Sequence, residues 1–412
     1  MSDDASGTSF AIEDVRVFDG EAVIESTSVS VEDGVIAAVG DRRPGLRAID
    51  GSGCTLLPGL IDSHLHAWGS LERVLGRYLL FGVTTVFEMQ CDGDGLAEAH
   101  ALRESDPPHI AQMWSSGFPV TVPGGHGTEF GFAVPTVSSA DEVDAFVEAR
   151  VDEGAAYIKL MYNDARFSRR TVSEEIVAAT VKAAHGRGLK VAAHISTLRT
   201  AIGAIEHGAD ILAHVHADGI DPDIGELARS KGVSVIPTLA VTDANLRTFD
   251  PESPPRTLVD DARIAPFLTS FDRRFLASDP NALRASVGLV RRPAVSQRRS
   301  IEKALRATRQ MIDAGVPILA GSDAPNPGTA HGATLHRELE LLVEAGMTPV
   351  QALAAATSVP ASCFGLSDRG RITPGLRADL LLVRGDPTID ITATRDIVSV
   401  WKAGHLLERV TR

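Results

Sequence analysis

An α/β fold is what the sequence predicts, in the form of a (β/α)8 TIM barrel with a small β-sandwich domain built from both termini. Three observations carry that expectation. From residue 58 to 365, short apolar runs alternate with helical patterns, the mark of repeated βα units around a parallel sheet. Residues 1–57 and 366–412 read instead as short strands punctuated by turns. The 412 residues also exceed the roughly 250–300 that one core accommodates, so a large and a small domain are expected.

The first zone contains "AIEDVRVFDG" and "STSVSVEDGVIAAVG", antiparallel strand patterns with Asp33-Gly34 as a hairpin turn, and then "RAIDGSGCTLL". Eight apolar segments predict the barrel strands: "GLIDSH", "VTTVFEM", "IAQMWSSG", "AYIKLM", "LKVAAH", "DILAHV", "VSVIPTL" and "VPILAGSD". Helical stretches between them, such as "SADEVDAFVEARVDEG" and "SEEIVAATVKAAHGRG", each close on a glycine, as helix C-termini commonly do. The late helix in "MTPVQALAAAT" opens with Thr348, Pro349 and Gln351, a capping box with proline in the first helical position. The last zone, "RGRITPGLRADLLLVRGDPT" through "VSVWKAGHLLERV", returns to strand and turn character and is expected to pair with the first. Between the seventh and eighth strands, residues 240–317, including "FDPESPPRT", are long enough to form a lid that sets substrate size.

Composition narrows the function. The chain is 44% hydrophobic with a formal net charge of -14, and no Lys/Arg run offers a stripe for phosphates, so nucleic acid and anionic membrane are poor partners. The clearest basic cluster, Arg291, Arg292, Arg298 and Arg299, reads as a solvated helix face. Cys54, Cys91 and Cys363, an odd count in a long chain, argue against a disulfide framework and for a reducing, cytoplasmic setting. The start "MSDDASGTSF" has no apolar segment, and no run of about 18 apolar residues occurs, so neither a signal peptide nor a transmembrane helix is expected. A small-molecule substrate is the expected partner, with a homo-oligomer left open.

Chemistry in such barrels gathers at the C-terminal ends of the strands. "GLIDSHLH" puts His64 and His66 on one face of a strand, about 6.6 Å apart, so two imidazoles can grip one cation. Lys159 lies in "YIKLM", His194 ends "VAAH", His214 ends "ILAH" and Asp323 ends "LAGSD". A lone histidine after an apolar strand is usually a core residue; six such residues at strand ends of one polarity point to a site. Imidazole and carboxylate are the ligands of a catalytic divalent ion such as Zn²⁺, and the absence of cysteine argues against a structural site. Lys159 is the misfit, because an ammonium repels a metal. It must either pair with an acid or be chemically changed.

This set, with "PGLIDSHLH", "GSDAP" and the tail "GRITPGLRADLLLV", resembles the amidohydrolase superfamily, in particular its bimetallic branch near imidazolonepropionases and Xaa-Pro-type dipeptidases. The resemblance runs through nearly the whole chain. It implies two divalent metal ions, with Zn²⁺ the expected metal, and a carbamate formed on Lys159 from CO2. It further implies His64, His66 and Asp323 as ligands of one ion, His194 and His214 of the other, and carbamylated Lys159 shared. Asp323 would then be the catalytic acid-base, taking a proton from the attacking hydroxide and passing it to the leaving nitrogen.

His207, in "AIEHGAD", imitates a ligand-bearing string of relatives, but "TAIGAIEHG" reads as a helix closing on Gly208, whereas "GADILAHV" ends a strand at His214. His126 in the glycine-rich "GFPVTVPGGHGTEFG", Tyr162, His216 and His331 are candidate substrate contacts, each with a structural alternative as a loop, rim or core residue. His100, His109, His185, His336 and His405 read as structural or surface residues. "VFEMQCDG" departs from the "VRD" of many relatives, so Glu88 and Cys91 are expected to shape this pocket differently. The expected activity is cleavage of an amide-type C–N bond in an N-acyl amino acid, dipeptide, cyclic amide or urea-like compound. An esterase or lactonase using the same site is one alternative, and a metal-free assembly protein without enzymatic activity is the other.

Overall fold

The computed structural model describes residues 7–164, 170–219, 221–249, 257–276 and 294–410. At the N-terminus, β1 (Phe10–Phe18), β2 (Val23–Glu32) and β3 (Val35–Gly40) form an antiparallel meander. Asp33 and Gly34 join β2 to β3 with φ of 49° and 79°, the paired left-handed dihedrals of a tight hairpin turn. β4 (Arg47–Asp50) and β5 (Cys54–Pro58) each lie parallel to β1, one beside either half.

The chain then enters a parallel βα region. β6 (Leu60–Leu65), β7 (Val83–Glu88) and β8 (Gln112–Ser115) form one parallel sheet; β9 (Ile158–Tyr162), β10 (Val191–Ile195), β11 (Ile211–Ala213) and β12 (Ser234–Ile236) form another. On one side Val120 links the two, donating to Lys159 O at 2.8 Å and accepting from Met161 N at 2.9 Å. On the other, Leu319 N donates to Val235 O and Ser63 N to Ala320 O, both at 2.9 Å. The arrangement is TIM-barrel-like, with the buried faces of the helices and the strand residues packed into one core.

The eighth expected strand, "VPILAGSD", is not a regular strand. Pro317 has no N–H to offer, and the end of helix Pro349–Ala355 intrudes: Ala320 N donates to Ala355 O and Ile61 N to Ala356 O, both at 2.7 Å. Asp323, at φ 49°, then turns the chain away. Isolated parallel bridges, Val235 with Ile318 and Leu65 with Ala324, are what remain of the ladder.

After the barrel region, β13 (Leu380–Arg384), β14 (Ile397–Lys402) and β15 (His405–Leu406) pair back onto β5, so both ends of the chain meet in one eight-stranded sheet. That sheet buries its own cluster, with Phe10 stacked on Trp401 at 5.2 Å beside Val17, Val31, Leu56 and Leu380. The expected capping box is present: Thr348 Oγ accepts from Gln351 N, and the Gln351 side chain accepts from Thr348 N. Arg291, Arg292 and the side chains of Arg298 and Arg299 lie outside the described residues, as does most of "FDPESPPRT" in the expected lid. Among the described residues no helix is long and apolar enough to cross a membrane.

Candidate metal centre

Strand polarity gathers the polar residues. β6 carries His64 to its end, and the last residue of the strand is Leu65, so His66 stands one residue beyond it. Both imidazoles approach Asp323: His64 Nε2 lies 3.4 Å and His66 Nε2 3.3 Å from Oδ1. His214, directly after β11, places Nδ1 4.0 Å from Asp323 Oδ2 and Nε2 3.0 Å from His194 Nδ1 on β10. Ring centroids are 4.9 Å apart for His64 and His214 and 4.5 Å for His194 and His214. One ligand atom each from His64, His214 and Asp323 falls within 4.8 Å of the others, a spacing that a single ion can span.

Lys159, on β9, is 1% exposed, and its Nζ has no hydrogen-bond partner. Burial lowers its pKa to about 7, with Asp323 and Glu88 pulling the other way. An amine held near neutrality is a nucleophile rather than a fixed cation. His64 and His194 are pushed well below the usual imidazole range, first by burial and then by the neighbouring Lys159 and histidines, with which they cannot all be charged, and burial takes His214 to about 3. These three rings are therefore in the neutral form that ligates metals. For His66 burial is outweighed by Asp323 and Glu88, which raise it; for Asp323 burial is outweighed by His66, His214 and Lys159, which lower it and keep it ionised.

Three residues here have a strained backbone. His214, Thr238 and Asp323 have φ of 78°, 51° and 49°, left-handed values costing about 1–3 kcal/mol each in non-glycine residues. Gly321 permits the close approach of segments: a Cβ there would stand 2.5 Å from Ile236 Cγ2 and 2.9 Å from His64 Cβ.

The surrounding groups orient the cluster. Thr238 Oγ donates to Pro237 O at 2.8 Å, so its lone pair receives the Nδ1–H of His214 at 2.7 Å. That bond fixes the tautomer with Nε2 unprotonated. Asp62, two residues before His64 on the same strand face, accepts the N–H groups of His64 and Ser322 at 3.1 and 3.0 Å, and burial raises its pKa to about 7. Glu88, at the end of β7, accepts from Gln90 N and Ser115 Oγ and lies 3.9 Å from His66 Nδ1. Cys91 contacts Ser115 Oγ at 3.1 Å. Of these, Glu88 and Cys91 were legible as pocket residues; period-2 counting from His64 would have found Asp62; nothing in "PTLA" signals Thr238.

Among the candidate substrate contacts, His126 joins the cluster, its ring 4.7 Å from that of His194 and its Nδ1 held by Glu129 at 2.7 Å. His331 sits behind His66, with Nε2 3.0 Å from the His66 carbonyl. Tyr162 does not converge: it packs on Gly203 of the helix behind the sheet, because a residue three positions after Lys159 takes the opposite strand face. His216 is buried, and the charges that act on it are Asp218 and Asp221, not the cluster. His207 ends the helix Leu198–Glu206, its Nε2 3.9 Å from Glu174, away from the site.

Comparison with known proteins gives the family. Imidazolonepropionase from Deinococcus radiodurans is 26% identical over 93% of each chain, and that from Deinococcus deserti 24% over 92% of each. A solved Xaa-Pro dipeptidase with bound methionine superposes with a TM-score of 0.76 at 22% identity, covering 97% of this chain and 100% of that one. The model of the amidohydrolase family matches residues 55–407. The chain belongs to the amidohydrolase family and is a hydrolase acting on carbon–nitrogen bonds.

Proposed function

We propose that this chain is a binuclear metal-dependent amidohydrolase that cleaves an amide-type C–N bond of a small molecule. In this reading a barrel drawn from residues 58–365 surrounds the site and a small β domain drawn from residues 1–57 and 366–412 lies beside it, in keeping with the single sheet in which both ends meet. The residues fit the metals: His64 Nε2 and His66 Nε2 lie against Asp323 Oδ1, and Lys159 Nζ is buried without a hydrogen-bond partner, a cost of about 1–3 kcal/mol unless something absent from the polypeptide satisfies it. His64, His66 and Asp323 would hold one ion and His194 and His214 the other, His214 standing close enough to His64 and Asp323 for the two ions to be neighbours. Lys159, as its carbamate, would be shared between them. When bound, two such ions, Zn²⁺ above all, supply a water ionised near neutrality and polarise the scissile carbonyl.

The chain's own residues do the rest. Asp323, kept ionised by its imidazole neighbours, accepts a proton from the attacking water and delivers it to the leaving nitrogen, a general acid-base role. Thr238 holds His214, and Asp62 holds the backbone of His64, so that the donor atoms keep their direction. His126, held by Glu129 beside His194, contacts the substrate. The single observation that carries the reading is the meeting of His64, His66 and His214 on Asp323, with His194 against His214 and the buried, unpartnered Lys159 acting electrostatically on Asp323 and the imidazoles. The names of the relatives put imidazolonepropionate-type and Xaa-Pro compounds among the substrates to test. Assay of the protein loaded with Zn²⁺ and bicarbonate against N-acyl amino acids, dipeptides, cyclic amides and ureas tests it. Hydrolysis of esters and lactones alone would point to the esterase alternative.

A further inference from the structure

Beside the metal centre lies a cavity of about 600 Å³ that no step above uses. Its apolar wall is formed by Trp68, Val74, Phe271, Phe275 and Pro325, and His331 lines its inner end. Three contacts tie this cavity to the centre. Trp68 stacks on His66 at 5.5 Å and 15°, Pro325 stands two residues after Asp323, and His331 bonds the His66 carbonyl. The cavity thus adjoins the cluster through residues that touch His66 or follow Asp323 in the chain.

Arg77, Asp272 and Thr269 of the lining are engaged with one another, while the exposed Arg73 also borders the space. Arg77 Nη2 pairs with Asp272 Oδ2 at 2.6 Å and Arg77 Nη1 donates to Phe267 O, while Thr269 N and Oγ1 both donate to Asp272 at 2.7 Å. What faces the space is mainly aromatic and aliphatic surface. The same bonds hold the walls in place: the buried Arg77–Asp272 pair fastens helix Leu71–Leu80 to helix Ser270–Leu276, and Gly328 N donates to Phe275 O, fastening the latter to the segment after Asp323. Phe271, stacked on Phe275 at 5.1 Å, is 51% exposed, and Trp68, 5.1 Å from Phe130, is 37% exposed. Large aromatic surface left in water beside a site, around a concave space, is the form of a ligand pocket rather than of a core.

We propose that this cavity receives an aromatic or bulky branched apolar group next to the scissile bond. The preferred substrates are then amides that carry such a group. The proposal rests on the hydrolase reading above, so two kinds of measurement are needed. The first is calorimetric binding of 3-phenylpropionate against propionate to the zinc-loaded protein, wild type and Phe271→Ala; the half-exposed position makes that variant safe for folding. The second is kcat/KM for N-acyl compounds with a phenyl or methyl group on either side of the amide. The expected result is an aromatic preference of about tenfold or more in each, the scale a hydrophobic pocket supplies, narrowed in Phe271→Ala. Turnover without aromatic preference, or with a preference that Phe271→Ala leaves intact, would overturn the cavity assignment while leaving the hydrolase reading in place. Phenylpropionate binding weakened by Phe271→Ala, with no turnover of any compound, would support the cavity assignment and sink the hydrolase reading. Equal affinities for the two acids would overturn the assignment.

Discussion

Thr238→Val tests whether the hydrogen bond to His214 prepares a metal ligand. Valine copies the shape and β-branching of threonine, so the strained backbone at φ 51° and the packing change little, and what disappears is the hydroxyl 2.7 Å from His214 Nδ1. An imidazole N–H left unpaired in a buried site costs about 1–3 kcal/mol. At about 1.4 kcal/mol per decade that is a loss of about 5- to 150-fold in metal affinity, in line with the roughly 10- to 100-fold typical for partners of ligating histidines. Zinc affinity is read by competition with a chromophoric chelator, in wild type, Thr238→Val and Thr238→Ser. The serine variant keeps the hydroxyl and should bind nearly as wild type. Equal affinity in all three proteins would refute the tautomer argument and with it the role of His214 Nε2 as a donor to the metal.

Three further outcomes are expected. His64→Ala and His66→Ala should each abolish turnover while far-ultraviolet circular dichroism stays that of the wild type; substantial activity in either would contradict their assignment. Asp323→Asn should retain much of its metal but lose about 10²- to 10⁴-fold in kcat, the range for a general acid-base group; turnover at the native rate would refute the proton role. In the metal-free protein, Lys159 titrates near 7 when folded and near 10.5 when unfolded. Between those values the unfolded chain binds the extra proton, so this lysine destabilises the fold increasingly as pH falls from about 10 to about 7. Lys159→Met should accordingly gain thermal stability over wild type as pH is lowered through that window, whereas a gap independent of pH would show the amine to be charged or solvated.

Local signals in the sequence translated directly where the physics is local. The Thr348–Gln351 capping box and the Asp33-Gly34 turn depend on residues that meet within a few positions, and both form as read. His64, His194, His214 and Asp323 were legible because βα alternation dictates the end of the barrel at which strands stop. Period-2 reasoning fails where the backbone leaves the strand. β11 stops at Ala213 and His214 turns left-handed at φ 78°, so His216, two residues on, does not share its face. For Tyr162 parity was decisive, since an odd offset from Lys159 sends it to the helix side. The irregular eighth strand depends on the end of helix Pro349–Ala355 entering the ladder, and Thr238 on the meeting of two strand ends; neither leaves a trace in nearby residues.

The central claim, that the buried lysine and its imidazole neighbours assemble around two ions, is tested most directly by counting metal on the purified chain. After incubation with Zn²⁺ and ¹³C-bicarbonate and removal of free ions, two equivalents of zinc per chain and a carbamate carbon resonance are expected, the resonance vanishing in Lys159→Met. A chain that retains no divalent metal under those conditions, and shows no such resonance, would contradict the account.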